Sequence, residues 1–387
     1  MPALAIIFLT IFVNLVGFGI IIPLLPFYAE TFGASPLTIG LLFASFSVSQ
    51  LLAAPVLGDL SDRWGRRPVL IFSLIGTVVS FVMLAMAHSL ALLFVARVVD
   101  GLSGGNITTA RAYIADITTE ENRAKAFGVL GAAFGLGFIV GPALGAALSR
   151  ISYTAPIWAA AAITLVAAAM AVFWLPETVH RAHAGGRSPW RSLLDAWRQT
   201  DLRVLFTTDF IYWTAFAVYQ TTFALFGARR FGFDAAHIGY LLSAFGFLGV
   251  IVQGGFIGPT VRALGERRTL AAGLFCAAIG WGGSAMTYSI PVFVLMLIPG
   301  AIGIGFCNAT LSSLISKAAP PHEQGRVQGA AGALESLGRT LGPVWGNGAL
   351  QRFGEGTPYG SAAIALLCVA ALTLAYQPSS RTPVTPA

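Results

Sequence analysis

From Pro2 to Tyr28 the chain carries no charged side chain; the first is Glu30. A helix needs roughly 20 apolar residues to cross about 30 Å of hydrocarbon, so this run is long enough to span a bilayer. Reading apolar stretches against charge breaks gives twelve spans, near 4–28, 36–57, 68–88, 91–114, 124–149, 155–175, 203–228, 236–257, 269–288, 290–316, 325–349 and 358–376. A cleaved secretory leader is the alternative for the first run, but it requires a basic start, and residues 1–9 hold no Lys or Arg. With 56% apolar residues and a mean hydropathy of +0.77, the chain is too apolar for a soluble domain. The expected fold class is therefore all-α and integral to a membrane.

Charge supplies the orientation. Of 23 basic residues, 16 fall in connections after even-numbered spans or in the C-terminal tail, 4 in connections after odd-numbered spans, and 3 inside spans. Basic loops stay on the cytoplasmic side, so both termini are expected there, in a multi-pass protein of the cell (inner or plasma) membrane. The same distribution accounts for the net charge of +7 without a nucleic-acid partner. Cys276, Cys307 and Cys368 lie apart inside apolar runs and read as small packing residues, with no disulfide or metal framework implied.

The long polar connection Pro176–Asp201 divides the spans six and six. It predicts an N-terminal bundle over 1–175, a cytoplasmic linker over 176–202 and a C-terminal bundle over 203–387. Repeats relate the halves: GDLSDRWGRR (58–67) is echoed by GPTVRALGER (258–267), and VGPALG (140–145) by LGPVWG (341–346). Two related six-helix bundles fit a transporter whose site lies between them, near the membrane midplane.

The stretch Gly58–Arg67 raises a separate question, because charge is scarce elsewhere. A tight turn suits Gly58 and Gly65, and basic residues prefer cytoplasmic headgroups, so the segment reads first as a topology anchor. Asp62 adds nothing to orientation and calls for a specific partner, a helix N-terminus or an arginine. GDLSDRWGRR also resembles the loop between the second and third helices of the major facilitator superfamily. The resemblance covers essentially the whole chain, through NLVGFGIIIPLLP (14–26), ARVVDGLSGG (96–105), YIADITTEENRAKAFG (113–128) and GAAFGLGFIVGPALG (131–145). It is strongest to the twelve-span drug:proton antiporters, especially the tetracycline-efflux group. The resemblance implies a cytoplasmic gate of Gly58, Asp62, Arg63, Gly65, Arg66, Arg67 and Asp116, in which Asp62 faces the start of the eleventh helix and Arg66 pairs with Asp116. In the second half Thr260, Val261 and Arg262 stand at the corresponding positions, so a matching latch there is expected to be weaker or absent. The resemblance also marks the fifth helix, with Gly137, Gly141, Pro142 and Gly145, as antiporter-type; small-xxx-small spacing alone reads as close helix packing.

Ionisable groups inside spans are costly and must face protein or water. On a continuous fourth helix Arg97, Asp100, Gly101, Gly104, Thr108 and Arg111 share one stripe. Arg97 and Asp100 are either a structural pair or a proton carrier with its bias; Glu335 and Arg339, four apart, pose the same choice. Asp209 reads as a solvated end of the seventh span. Asn14 and Asn308 bond neighbouring helices or contact substrate, and Arg111, Tyr212, Phe216, Tyr219 and Gln220 complete the candidate substrate contacts, the aromatics suiting a flat amphipathic ligand. Tetracycline antiporters of the resembled group carry acids in the first, third and ninth helices, where this chain has Asn14, Ser80 and Ala277. Any proton coupling is thus expected at Asp100 or Glu335.

The expected function is proton-coupled export of a lipophilic or amphipathic compound by alternating access, with uptake of a small metabolite by uniport or symport as the alternative. No HExxH, GxSxG or Walker-type stretch points to an enzyme. The expected partners are a small-molecule substrate, protons and the lipid bilayer, the expected state is a monomer, and no catalytic residue, cofactor or metal is implied.

Overall fold

The computed structural model describes residues 2–104, 106–118, 120–178, 200–319 and 324–375. Their regular structure is helical: α1 Pro2–Glu30, α2 Pro36–Trp64, α3 Arg66–Ala85, α4 Leu90–Ser103, α5 Asn106–Ile117, α6 Glu120–Ser149 and α7 Ala155–Trp174 in the first half. The second half has α8 Thr200–Phe231, α9 Ala235–Ile251, α10 Ile257–Leu264, α11 Glu266–Met286, α12 Ile290–Ala318, α13 Gln324–Phe353 and α14 Gly356–Ala375. Lipid offers the backbone no hydrogen-bond partner, which is why helices, bonded within themselves, dominate. Local signals start them: Ser35 Oγ accepts from Thr38 N–H at 3.2 Å with Pro36 behind it, and Asp234 Oδ1 accepts from His237 N–H at 2.8 Å.

Two crossings are broken. The fourth, expected as one helix, ends at Ser103 and resumes at Asn106. Gly104 sits at the break, where the sequence Gly104-Gly105 favours a helix poorly, and Gln50 Nε2 donates to the Gly104 carbonyl at 3.0 Å. The eighth passes through a π-helical segment, Val252–Phe256, containing Gly254 and Gly255. Taking α4 with α5 and α9 with α10, the described helices make twelve crossings in two pseudo-symmetric bundles. Among the described residues, nine helices are long and apolar enough to span a membrane. The pair α4–α5, α8 and α13 are not among them, and these three crossings carry Arg97, Asp100, Asp209, Glu335 and Arg339.

The segment Gly58–Arg67 is not the expected two-glycine turn. Helix α2 continues through Trp64, so Gly58 is helical, and Gly65 alone makes the turn at φ +110°. Gly265 repeats this at φ +79° between α10 and α11. Of the expected linker, residues 179–199 lie outside the described residues. Its first part is bound to the bundle: Tyr113 hydroxyl donates to the Pro176 carbonyl at 2.8 Å, and Glu177 accepts from the backbone N–H groups of Arg66 at 2.9 Å and Arg67 at 3.2 Å, capping α3.

Glycines set the seam between bundles. A Cβ on Gly40 of α2 would lie 2.4 Å from the Pro343 carbonyl oxygen of α13, and one on Gly239 of α9 would lie 2.6 Å from the Pro142 carbonyl oxygen of α6. The two contacts are repeat-related, and both occur toward the face opposite the termini. There Leu37 N–H also donates to Gln351 Oε1 at 3.0 Å, and Ser243 Oγ to the Ile139 carbonyl at 2.8 Å. Nearer the termini face, a Cβ on Gly58, Gly128, Gly254 or Gly329 would meet nothing within 4 Å. Among the described residues these close backbone contacts between the bundles therefore lie toward the face opposite the termini. Side-chain bulk at the seam should force it open. Gly239→Val is expected to cost roughly 1–3 kcal/mol in the closed seam and to lengthen distances between spin labels on α6 and α9; an unchanged distance distribution would contradict this.

Candidate functional site

Helix α4 presents Arg97 and Asp100 on one face, three residues apart, and that face is buried in the first bundle rather than turned to lipid. Arg97 is 1% exposed and Asp100 8%. Arg97 Nη1 donates to Asp100 Oδ2 at 2.7 Å, and the guanidinium lies 4.3 Å from the centroid of Phe46 on α2. Ser80 of α3 stands beside the Asp100 carboxylate. Gly101 permits this packing, because a Cβ there would lie 2.4 Å from the Phe46 carbonyl oxygen. Arg97 Nε and Nη2 have no hydrogen-bond partner among the described residues. Because the crossing breaks after Ser103, the expected single stripe does not continue unbroken, and the side chains of Thr108 and Arg111 on α5 lie outside the described residues.

A second polar group lies between α8 and α13. These helices run in parallel, with Gly338 against the Phe210 carbonyl and Thr214, and Gly342 against the Thr214 carbonyl. Arg339 caps the Trp213 ring at 4.3 Å from its centroid. Asp209, expected to be solvated, is 2% exposed, because α8 begins at Thr200 and places it more than two turns inside the helix, against α13. Glu335 and Arg339 are the charged groups that act on it.

Of the aromatic candidates, Tyr212 is fully buried and donates to Asn308 Oδ1 at 2.8 Å, joining α8 to α12. Tyr219 does not line an open face: it is 2% exposed and stacks on Trp281 with centroids 4.9 Å apart, a packing role imposed by the ring cluster of the second bundle. Phe216, Gln220, Asn14 and Asn308 are half-buried. The α6 glycines seat α1: a Cβ on Gly137 would lie 2.5 Å from Leu15 Cβ, and one on Gly141 2.7 Å from the Val16 carbonyl oxygen, while Gly145 faces Ile20 at 3.5 Å. Ala277 is fully buried where Gly303 of α12 comes closest, a contact with no room for a carboxylate.

At the termini face Arg66 gathers three oxygens. Its Nη1 pairs with Asp62 and donates to Ser61 Oγ at 2.7 Å, and its Nε donates to Asp116 Oδ2 at 3.1 Å. Arg63 pairs with Asp59 at 3.0 Å in solvent. Arg67 Nη2 donates to the Val172 carbonyl at 2.5 Å. The second half carries a different pair: Glu266, at the position equivalent to Arg66, accepts from Lys317 Nζ at 2.8 Å and from Ser313 Oγ at 2.6 Å. The pair is present with its polarity reversed, and Arg267 Nε donates to the Thr373 carbonyl at 2.5 Å much as Arg67 does to Val172. Sequence reasoning missed Glu177 and the Glu266–Lys317 pair and read Asp209 as a solvated end; the offset of 200 residues between repeats was the signal available for the pair.

The family model described as Major Facilitator Superfamily matches residues 7–343. The chain is 34% identical to the tetracycline resistance protein, class C, of Escherichia coli over 88% of each chain. It is 36% identical to the class G protein of Vibrio anguillarum over 85% of each. Among solved structures it resembles the human organic anion transporter MFSD10 (TETRAN), with a TM-score of 0.74 at 25% identity, covering 96% of this chain and 99% of that one. The chain is a multi-pass membrane protein.

A buried charge stripped of its partner is far costlier than a buried pair replaced whole. Asp100→Leu is expected to lower stability by about 3–5 kcal/mol, and Arg97→Met added to it should recover most of that loss, as read by thermal unfolding in detergent; additive losses would contradict the pairing.

Proposed function

The chain belongs to the Major Facilitator Superfamily, and from that membership we propose that it exports a lipophilic or amphipathic drug-like compound in exchange for protons. The observation that carries the reading is the Arg97–Asp100 pair, 2.7 Å apart and buried inside a bundle, in a fold whose halves pack closely through Gly40 and Gly239 toward the face opposite the termini. Two rigid bodies, 1–175 and 203–387, would rock about the seam and open a central chamber to each side in turn. The linker between them, the cytoplasmic termini and the inner or plasma membrane follow from the charge distribution. Nothing in the reading requires catalysis or a cofactor.

Asp100 would carry the proton. Ser80 occupies the third-helix position where the resembled antiporters place an acid, and it adjoins Asp100; this chain has the carboxylate on the other side of the same helix contact. Arg97 is the cationic partner of that carboxylate, and occupancy of the chamber shifts the balance between its two protonation states. Glu335 with Arg339 is the second candidate carrier. Phe216, Gln220, Asn14 and Asn308 are the substrate contacts best supported by their half-buried setting, with Tyr212 orienting Asn308. Asp62, Arg66 and Asp116 would act as the breakable cytoplasmic clasp, since Asp62 is 45% exposed while paired with Arg66 and can exchange that partner for the start of α13.

In proteoliposomes with an imposed pH gradient, the wild type should drive efflux of a lipophilic drug, and Asp100→Asn should retain drug binding while losing the gradient-driven component. Flux in Asp100→Asn with wild-type pH dependence would overturn the assignment. Asp62→Asn should slow turnover without altering drug affinity, measured by initial rates and equilibrium binding on one preparation.

A further inference from the structure

Buried hydroxyls in this protein follow a rule that the first bundle breaks. A serine or threonine in a helix can donate to the carbonyl four residues back, which satisfies it without another helix. Thr164, Thr222, Ser284 and Thr373 do so, each at 2.7 Å. Thr10, Ser73, Thr77 and Thr109 are all in the first bundle and at most 2% exposed, yet their side-chain oxygens have no hydrogen-bond partner among the described residues. Arg97 Nε and Nη2 share that condition.

Three of these hydroxyls fall in line. Ser73, Thr77 and Ser80 are four and three residues apart, on one face of α3. Fixed points set the antiparallel register of α3 against the fourth crossing: Ser80 adjoins Asp100, Gly76 lies against Ser103 with no room for a Cβ, and Arg66 pairs with Asp116. Between them Thr77 comes level with the break at Gly104, and Ser73 with the first turn of α5, where Thr109 stands. Beyond Thr109 the same helix carries Tyr113 and then Asp116, exposed at the termini face. The hydroxyls thus run from Asp100 toward that face.

Buried hydroxyls without a protein partner are satisfied by ordered water. The break points the same way, because an interrupted helix at membrane depth needs protein or water around its freed backbone groups. Ser73 and Thr77 are 0% and 1% exposed, so they are closed to the chamber between the bundles.

We propose that water held by Ser73, Thr77 and Thr109 forms a file inside the first bundle, passing protons between Asp100 and the termini face while substrate uses the chamber between bundles. This rests on the reading of Asp100 as the proton carrier. Among the described residues Arg97 is the charged neighbour of Asp100 on α4, α3 presents Ser80, and α2 packs there with Phe46 and Ser49. Along the file each water or hydroxyl accepts a proton from one side as it donates one to the other, so the proton alone is displaced. The carboxylate swings between file and chamber, so the two routes are never joined and protons do not leak.

Water-edited solid-state NMR of the full-length wild type in lipid bilayers reads the hydration without any variant. Magnetisation should pass from water to Ser73 and Thr77 but not to Thr164, whose hydroxyl is held by the Ala160 carbonyl; Ser73 and Thr77 as dry as Thr164 would overturn the proposal. The second measurement is the rate at which Asp100 protonates after a pH jump, followed by the infrared carboxyl band that Asp100→Asn removes. Ser73→Ala with Thr77→Val should slow that rate about tenfold or more, Thr77→Ser should keep it, and Thr164→Val should match the wild type. An unchanged rate in the double variant would sink the file alone. Absence of an Asp100 band at every pH would sink the carrier reading and the file with it, whereas a hydrated file with rapid protonation but no drug flux would sink only the export reading.

Discussion

Hydrocarbon solvates neither a peptide group nor a charge, and most of this architecture follows from that fact. Backbone groups are satisfied inside helices. Among the described residues the deep charges are collected onto three crossings, α4–α5, α8 and α13, which are not among the nine helices long and apolar enough to span a membrane. The deepest of these charges are hidden against other helices: Arg97 and Asp100 against α2 and α3, and Asp209 against α13. Lipid instead meets residues such as Phe72, Phe173 and Leu52, each more than three-fifths exposed.

Mobility depends on how closely the helices approach. Glycines bring α1 onto α6 and α8 onto α13 within each bundle, and Gly40 and Gly239 bring the bundles together at one face. Main chain against main chain is a hard stop, because no side chain stands between to yield. Such a seam can serve as a pivot, while the opposite ends are left to ionic clasps of modest strength. The clasp residues obey the repeat in position yet not in sign: Arg66 with Asp116 in the first half, Glu266 with Lys317 in the second. Pairing is thus kept where residue identity is not, although Lys317 stands far more in solvent than Arg66. Only the first copy adds Asp62, which makes it a three-membered clasp with a partner to spare.

Much of this was legible beforehand from particular residues. Uninterrupted apolar runs marked the crossings, Arg97 and Asp100 stood out as charges three apart in such a run, and the spacing of Gly137, Gly141 and Gly145 indicated a close helix contact. Other features were misread for identifiable reasons. Asp62 lies four residues before Arg66 and within the helix, whereas charge density had implied a loop. Asp209 looked solvated because hydropathy placed the seventh span's start at 203, near the charge, and not at Thr200. Tyr219 looked like a ligand contact because periodicity cannot tell a core aromatic from one beside a cavity; its stacking on Trp281 is set by a helix distant in sequence.

By itself, the amino-acid order determined that the protein spans a bilayer in twelve passes, which loops are basic, and which helices carry charge, because hydropathy and charge are properties of single residues and short runs. Which charge meets which partner was decided only by tertiary structure: that Ser80 adjoins Asp100, that Asp209 lies beside Glu335 and Arg339, and that the bundles touch through Gly40 and Gly239 toward the face opposite the termini. Such pairings depend on how helices far apart in the chain rotate and cross against one another, and no local pattern encodes those angles.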